Sequence, residues 1–119
     1  MHFEFHVADP EKAAEFYKEV FGWTFEKWGD PNEPYILVNT GDENSPGING
    51  GLMKSMDGQS RTVNSILVSD VDTYVEKVLA AGGQVALPKM PIPGIGYLAY
   101  VIDPHGVLFG ITHMDPEAK

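Results

Sequence analysis

His2, Glu4 and His6 stand two residues apart at the start of the chain. In an extended strand that spacing carries all three side chains to one face, because side chains alternate with period two. Two imidazoles around a carboxylate offer an acid/base pair, with His2 and Glu4 as the candidates, or a two-imidazole metal site. The same polar row can also contact a ligand without reacting with it. The remaining histidines offer less. His105 lies in Asp103-Pro104-His105-Gly106, where a polar residue at a turn corner is ordinary. His113 has the opposite parity to Gly110 and is expected at the surface. No serine sits in a Gly-X-Ser-X-Gly elbow, and no glycine-rich stretch matches a phosphate-binding loop followed by a helix. The acidic stretch 42–47 has the flavour of a calcium loop, but Pro46 in the fifth place and Met53 in the twelfth remove the required ligands.

The elements that must position these residues can be read from periodicity. Residues 2–7 alternate, so Phe3, Phe5 and Val7 form the apolar side of a half-buried strand. Asp9-Pro10 reads as an N-cap and first helical residue, with Ala13, Phe16, Tyr17 and Val20 at helical spacing until Gly22. Glu11, Glu15 and Glu19 form its solvated side. Residues 23–28, 35–40 and 48–53 read as strands between turn clusters at 29–32 and 41–47. The second half repeats this order. A strand at 63–68 leads to Asp70, which caps a helix whose Val75, Val78 and Leu79 are expected to face inward before Gly82-Gly83 ends it. Strands at 84–87, 97–102 and 107–113 follow. Val7 with Val68, Asp9 with Asp70, Glu15 with Glu76 and Gly22 with Gly83 are each separated by 61 residues. A constant offset through strand, cap, helix and stop indicates a duplicated βαβββ unit.

This ordered set resembles the glyoxalase/bleomycin-resistance/dioxygenase, or vicinal-oxygen-chelate, superfamily. The resemblance rests on residues 2–5, 9–17 and 20–23, on Pro46-Gly47-Ile48-Asn49-Gly50-Gly51-Leu52-Met53, and on Val68-Ser69-Asp70-Val71-Asp72, Gly82-Gly83 and 103–110. It covers nearly the whole chain. It implies an α+β fold of two βαβββ modules forming an open curved sheet, a half-barrel with a concave ligand cavity. Residues 1–119 are expected as a single domain, with module one at about 1–56 and module two at about 61–114. Homodimers are frequent in such proteins. In metal-dependent members the ligands come from cavity-facing strand positions, and His2, fifteen residues before Tyr17, falls on the first of them. The counterpart in the second module is Val63, five residues before Val68, and the carboxylate positions fall at Gly50 or Gly51 and at Gly110. One imidazole cannot hold a divalent cation at a site that needs about three protein ligands. No metal or other cofactor is therefore expected; a divalent metal with incomplete inherited ligands is the alternative.

Composition narrows the partners. The 119 residues carry a formal charge of −9 and 43% hydrophobic residues, enough for one core and repellent to nucleic acid and anionic membranes. With no cysteine, disulfides, thiolate ligands and cysteine nucleophiles are excluded. The start shows no secretory pattern, and a cytoplasmic protein is expected. His2, Glu4 and His6 are expected to line the cavity floor, and Ile92, Ile95 and Tyr97 to close it, because the apolar segment 91–96 is costly to leave uncovered. Trp23, Trp28 and Tyr35 are further candidates for shaping the cavity, with core packing favoured for Trp23. Two functions stand side by side. One is a metal-free protein that binds or sequesters a small hydrophobic or aromatic compound. The other is a metal-dependent lyase, isomerase or dioxygenase related to lactoylglutathione lyase.

Overall fold

The structure, a computed structural model, describes residues 2–29, 35–41, 44 and 47–119. The turn positions 30–32 and positions 42, 43, 45 and 46 of the acidic stretch lie outside the described residues. The architecture is α+β and consists of two βαβββ modules. Backbone contacts divide the chain into compact units at 2–63 and 64–119. The division falls within the strand at 61–67.

Module one runs β1 (His2–Val7), α1 (Pro10–Phe21), β2 (Thr24–Trp28), β3 (Tyr35–Asn39) and β4 (Gly50–Lys54). Its strands lie in the order β2-β3-β4-β1, with β1 and β4 parallel and the other pairs antiparallel. Asp9 caps α1 by accepting the Lys12 amide at 3.2 Å, Pro10 supplies a preset φ in the first turn, and Gly22 ends the helix at φ 72°. Phe3, Ile36, Val38 and Leu52 form the core, with Phe5, Ala13, Ala14, Trp23 and Phe25 packed against it. Fully burying one such side chain stabilises by roughly 1.5–3 kcal/mol. Of the helix residues expected inward, Ala13 and Tyr17 are half-buried, but Phe16 is 57% and Val20 54% exposed. The small Ala13-Ala14 pair brings α1 close to the sheet, and Phe16 and Val20 fall on the flank of that contact.

Module two repeats the plan with β5 (Arg61–Leu67), α2 (Val71–Ala80), β6 (Gln84–Ile92), β7 (Gly96–Ile102) and β8 (Leu108–Met114). Its order is β5-β8-β7-β6, again with the first and last strands of the module parallel. Asp70 accepts the Thr73 amide at 3.0 Å, the counterpart of Asp9 and Lys12. Val71, Ala99, Val101 and Ile111 make the core, and Val75 and Val78 pack on it; Leu79, expected inward, is 51% exposed. The αL residue that closes α2 is Gly82 rather than Gly83, so the repeat slips by one residue there. β6 continues five residues past Leu87 through Pro88 and Pro91. Proline is tolerated because β6 is an edge strand, and two register shifts against β7 absorb the irregularity. The expected loop at 91–96 is consequently the tip of a β6–β7 hairpin.

Candidate functional site

Paired strand residues share a face, so registered rows define the two sides of module one. Phe25, Val38, Gly50 and Phe3 form one row, and Lys27, Ile36, Leu52 and Phe5 the next; both lie on the α1 side with the core. Glu26, Leu37, Gly51 and Glu4 form the intervening row on the opposite, helix-free side. His2 and His6 share that side with Glu4.

The carboxylate of Glu4 is the centre of this side. Only 1% of the residue is exposed, which would be costly without compensating hydrogen bonds. The Tyr35 hydroxyl donates to Oε2 at 2.7 Å, and His6 Nε2 lies 2.8 Å from Oε1. An ionised Glu4 only accepts, and would take this bond from an Nε2–H of His6. His2 is 39% exposed at its side chain; its Nε2 is turned inward, 4.0 Å from Glu4 Oε2, and has no hydrogen-bond partner among the described residues. Glu4 is thus a fixed, desolvated acceptor with one imidazole bonded to it and a second nearby.

Tyr35 also explains a glycine. A Cβ built on Gly51 would collide with the Tyr35 hydroxyl, so no side chain fits at 51 while Tyr35 reaches across β4 to Glu4. The metal that the fold family implies can be tested against these residues. Gly51 cannot carry a carboxylate, and Val63 is a buried apolar side chain. A Cβ on Gly110 would lie 3.2 Å from Leu98 Cδ1 and 3.3 Å from Ser65 Oγ. Glu4 is already engaged by Tyr35 and His6. No group of three or more His, Cys, Asp or Glu among the described residues is arranged to hold an ion. The residues present do not fit a catalytic divalent cation.

A cleft of about 460 Å³ opens beside this network. Its walls include His2, Thr24, Glu26, Leu37, Asn39 and Asn49, the first five on the helix-free side by register and parity, and Phe25, Val38 and Gly50 of the α1-side row also border it. Sequence reasoning missed five of the six, since their grouping depends on register between strands. The alternation of 24–28 and 35–39 signals a half-buried face but cannot say which strands adjoin.

In module two the candidates belong to β6, β7 and the hairpin between them. Tyr97 packs on the α2 side with the Ala99 and Val101 row, 5.2 Å from the His113 ring and under the Lys89 ammonium. Parity along β7 puts Leu98 and Tyr100 on the helix-free side and Tyr97 on the side of α2. Ile92 and Ile95 are half-buried in the hairpin, which the C-terminal segment ties down through Gly94 N–H to Ala118 O (2.9 Å) and Asp115 N–H to Ile95 O (2.8 Å). His113 points to the helix side but is not a surface residue. Its Nδ1 accepts the Val71 amide at 2.8 Å and so satisfies one of the orphan donors at the start of α2. His105 is an exposed turn residue, as its motif suggests, and Asp103 Oδ1 accepts the amides of His105 and Val107. Those amides hold the Asp103 carboxyl below its ordinary range, chiefly through Val107. Asp70 is lowered likewise by the Thr73 hydroxyl and amide.

Comparison with known proteins follows the same outline. A family model described as bleomycin resistance protein-like N-terminal matches residues 1–41. The chain is 32% identical over a 125-residue alignment to a lactoylglutathione lyase of Arabidopsis thaliana, covering 98% of this chain and 44% of that protein. It spans less than half the length of the curated relatives it matches, 42% to 44%. Among solved structures, methylmalonyl-CoA epimerase from Mycobacterium tuberculosis matches with a TM-score of 0.71 at 16% identity, over 97% of this chain and 87% of that one. The Mn(II)-bound glyoxalase from Novosphingobium aromaticivorans gives 0.64 at 21% identity, over 98% and 38%. At such identities the structural likeness bears on the fold alone.

Proposed function

Because the chain belongs to the glyoxalase/bleomycin-resistance superfamily in its small two-module form, we propose that it uses the helix-free side of module one to bind a small organic ligand without a metal. The ligand class is a small hydrophobic or aromatic compound, and binding or sequestration is the function. The observation that carries this reading is the Tyr35 hydroxyl seated over Gly51 and bonded to Glu4. It fills the place where the resemblance calls for a carboxylate ligand and leaves Glu4 engaged internally. Metal-assisted catalysis depends on an ion with open coordination positions, which this residue set does not supply. His2, Glu4 and His6 act in this reading as a polar floor, with His2 at the cleft and Glu4 and His6 holding one another in place.

The reading includes a homodimer. Phe16, Val20 and Phe21 on α1 are each more than half exposed, and the Phe16 and Phe21 rings adjoin the stack of Tyr17 and Trp23, an apolar patch of the kind that subunit contacts cover.

Trp28 pairs with Tyr35 on the helix-free side and supplies the probe. Titration with a panel of small aromatic compounds, read by tryptophan fluorescence, is expected to give saturable binding that survives EDTA, with the signal lost in Trp28→Phe. Binding that disappears in EDTA and returns with a divalent cation would overturn the reading in favour of the metal-dependent enzyme.

A further inference from the structure

The cleft beside His2 carries hydrogen-bonding chemistry that the Glu4 network does not use. Asn39 Oδ1 accepts the Gly41 amide at 3.1 Å, and Asn49 Oδ1 accepts the Thr40 amide at 3.0 Å. A backbone N–H can be met only by the carboxamide oxygen, so these bonds fix which way each amide is turned. Both side chains line the cleft, and neither Nδ2 has a hydrogen-bond partner among the described residues. Each asparagine therefore engages its acceptor in the turn at 39–41, which leaves its two amide donors available at the exposed rim of the cleft. The Thr24 hydroxyl stands beside Asn39, its pairing partner. Leu37 gives the same cleft an apolar wall.

Charge then selects among ligands that accept hydrogen bonds. Among the described residues no Lys or Arg lines this cleft, Glu26 does, and the chain carries a formal charge of −9. A carboxylate or phosphate would meet the donors but also the Glu26 carboxylate at close range, in a field that repels anions. A cation would be drawn to Glu26 yet would face the amide donors with nothing to offer them. An uncharged carbonyl satisfies the donors and avoids both penalties.

Resting on the binding reading above, we infer that this cleft recognises an uncharged ligand carrying a carbonyl or carboxamide oxygen on an apolar or aromatic body, with Asn39 and Asn49 as the specificity-determining donors. A matched series of probes tests it: benzamide, benzoate and benzylammonium, which share a ring and differ in charge and hydrogen-bonding pattern. The readout is the side-chain amide resonances of Asn39 and Asn49 in the 15N-labelled full chain. Benzamide is expected to shift both in a saturable way, with the two ions about tenfold weaker or more, the scale of one unmade or opposed hydrogen bond. Asn39→Asp and Asn49→Asp retain an oxygen for the Gly41 and Thr40 amides while removing the donors. Each is expected to weaken benzamide about tenfold with the backbone spectrum preserved. Asn39→Ser or Asn49→Ser, which keeps an oxygen for the turn amide and removes the carboxamide donors, is a second route to the same loss should either aspartate variant fail to fold.

Benzoate binding as tightly as benzamide, or benzamide affinity unchanged in the folded variants, would overturn the inference. So would benzamide shifts confined to other helix-free residues such as Leu37 and Glu4, an outcome that leaves the metal-free binding reading standing. No shift on that side with any of the three probes would count against both.

Discussion

Tyr35 is the residue on which the site turns, and its hydroxyl can be removed without removing its ring. Tyr35→Phe deletes one donor to a buried carboxylate, and such a bond is worth about 1–3 kcal/mol. A loss of that size in urea unfolding is expected; an unchanged midpoint would mean that Glu4 does not depend on this bond. The even parity of His2, Glu4 and His6 is legible in the sequence because a period of two needs only neighbouring residues. The reach of Tyr35 is not, since 31 positions separate it from Glu4 and β4 lies between them. One trace of it is present in the sequence: a glycine inside a strand often marks a close approach, and Gly51 makes room for the Tyr35 hydroxyl. A second residue-scale prediction concerns Asp57, whose carboxylate meets Arg61 through two bonds of 2.7 and 3.1 Å. The Arg61 hydrogen bonds, followed by the Gln59 amide, lower its pKa from the ordinary 3.8 to about 2. Because the folded value is depressed, the stabilisation is present above 3.8 and is lost as the pH falls towards 2. Carboxyl NMR titration is expected to show this value and its return towards 3.8 in Arg61→Ala; no change on substitution would remove the pairing as its cause.

At the scale of elements, the duplicated plan is legible because cap, helix and stop are local signals. Asp9 and Asp70 occupy matching places and make matching bonds to the amides three residues on. Asp9→Ala and Asp70→Ala are each expected to cost about 1 kcal/mol in chemical denaturation. A cost at only one of them would show that the two caps, alike in geometry, are unlike in energy. Helix facing was harder to read. Phe16, Val20 and Leu79 have helical spacing and apolar side chains, yet a wide apolar stripe does not say which part of it meets the sheet. The end of β6 was misread for a different reason, since Pro88 looks like a stop unless the strand is known to be an edge. With β6 ending early, the segment at 91–96 reads as a free loop that closes the cavity together with Tyr97. The hairpin and the α2-side packing of Tyr97 follow from sheet order, which is a property of distant pairings.

For the molecule as a whole, composition limits partners more firmly than it identifies a ligand. The strongly acidic balance argues against nucleic acid and anionic lipid, and no helix among the described residues is long and apolar enough to cross a membrane. The proposed homodimer would cover the apolar patch on α1. Light scattering at micromolar concentration is expected to report twice the 13.1 kDa mass of one chain, with dissociation in Phe16→Glu; a single-chain mass at every concentration would contradict it. The superfamily was legible in ordered motifs, whereas the reason for a glycine at position 51 emerged only with Tyr35 in place over it. Elemental analysis of untagged protein, dialysed after incubation with zinc, nickel, manganese or iron(II), measures the consequence for metal binding. Far less than one ion per chain is expected with each metal, because His2 lacks the further donors needed to displace water from a hydrated cation. One tightly held ion per chain, lost on His2→Ala, would contradict the metal-free site.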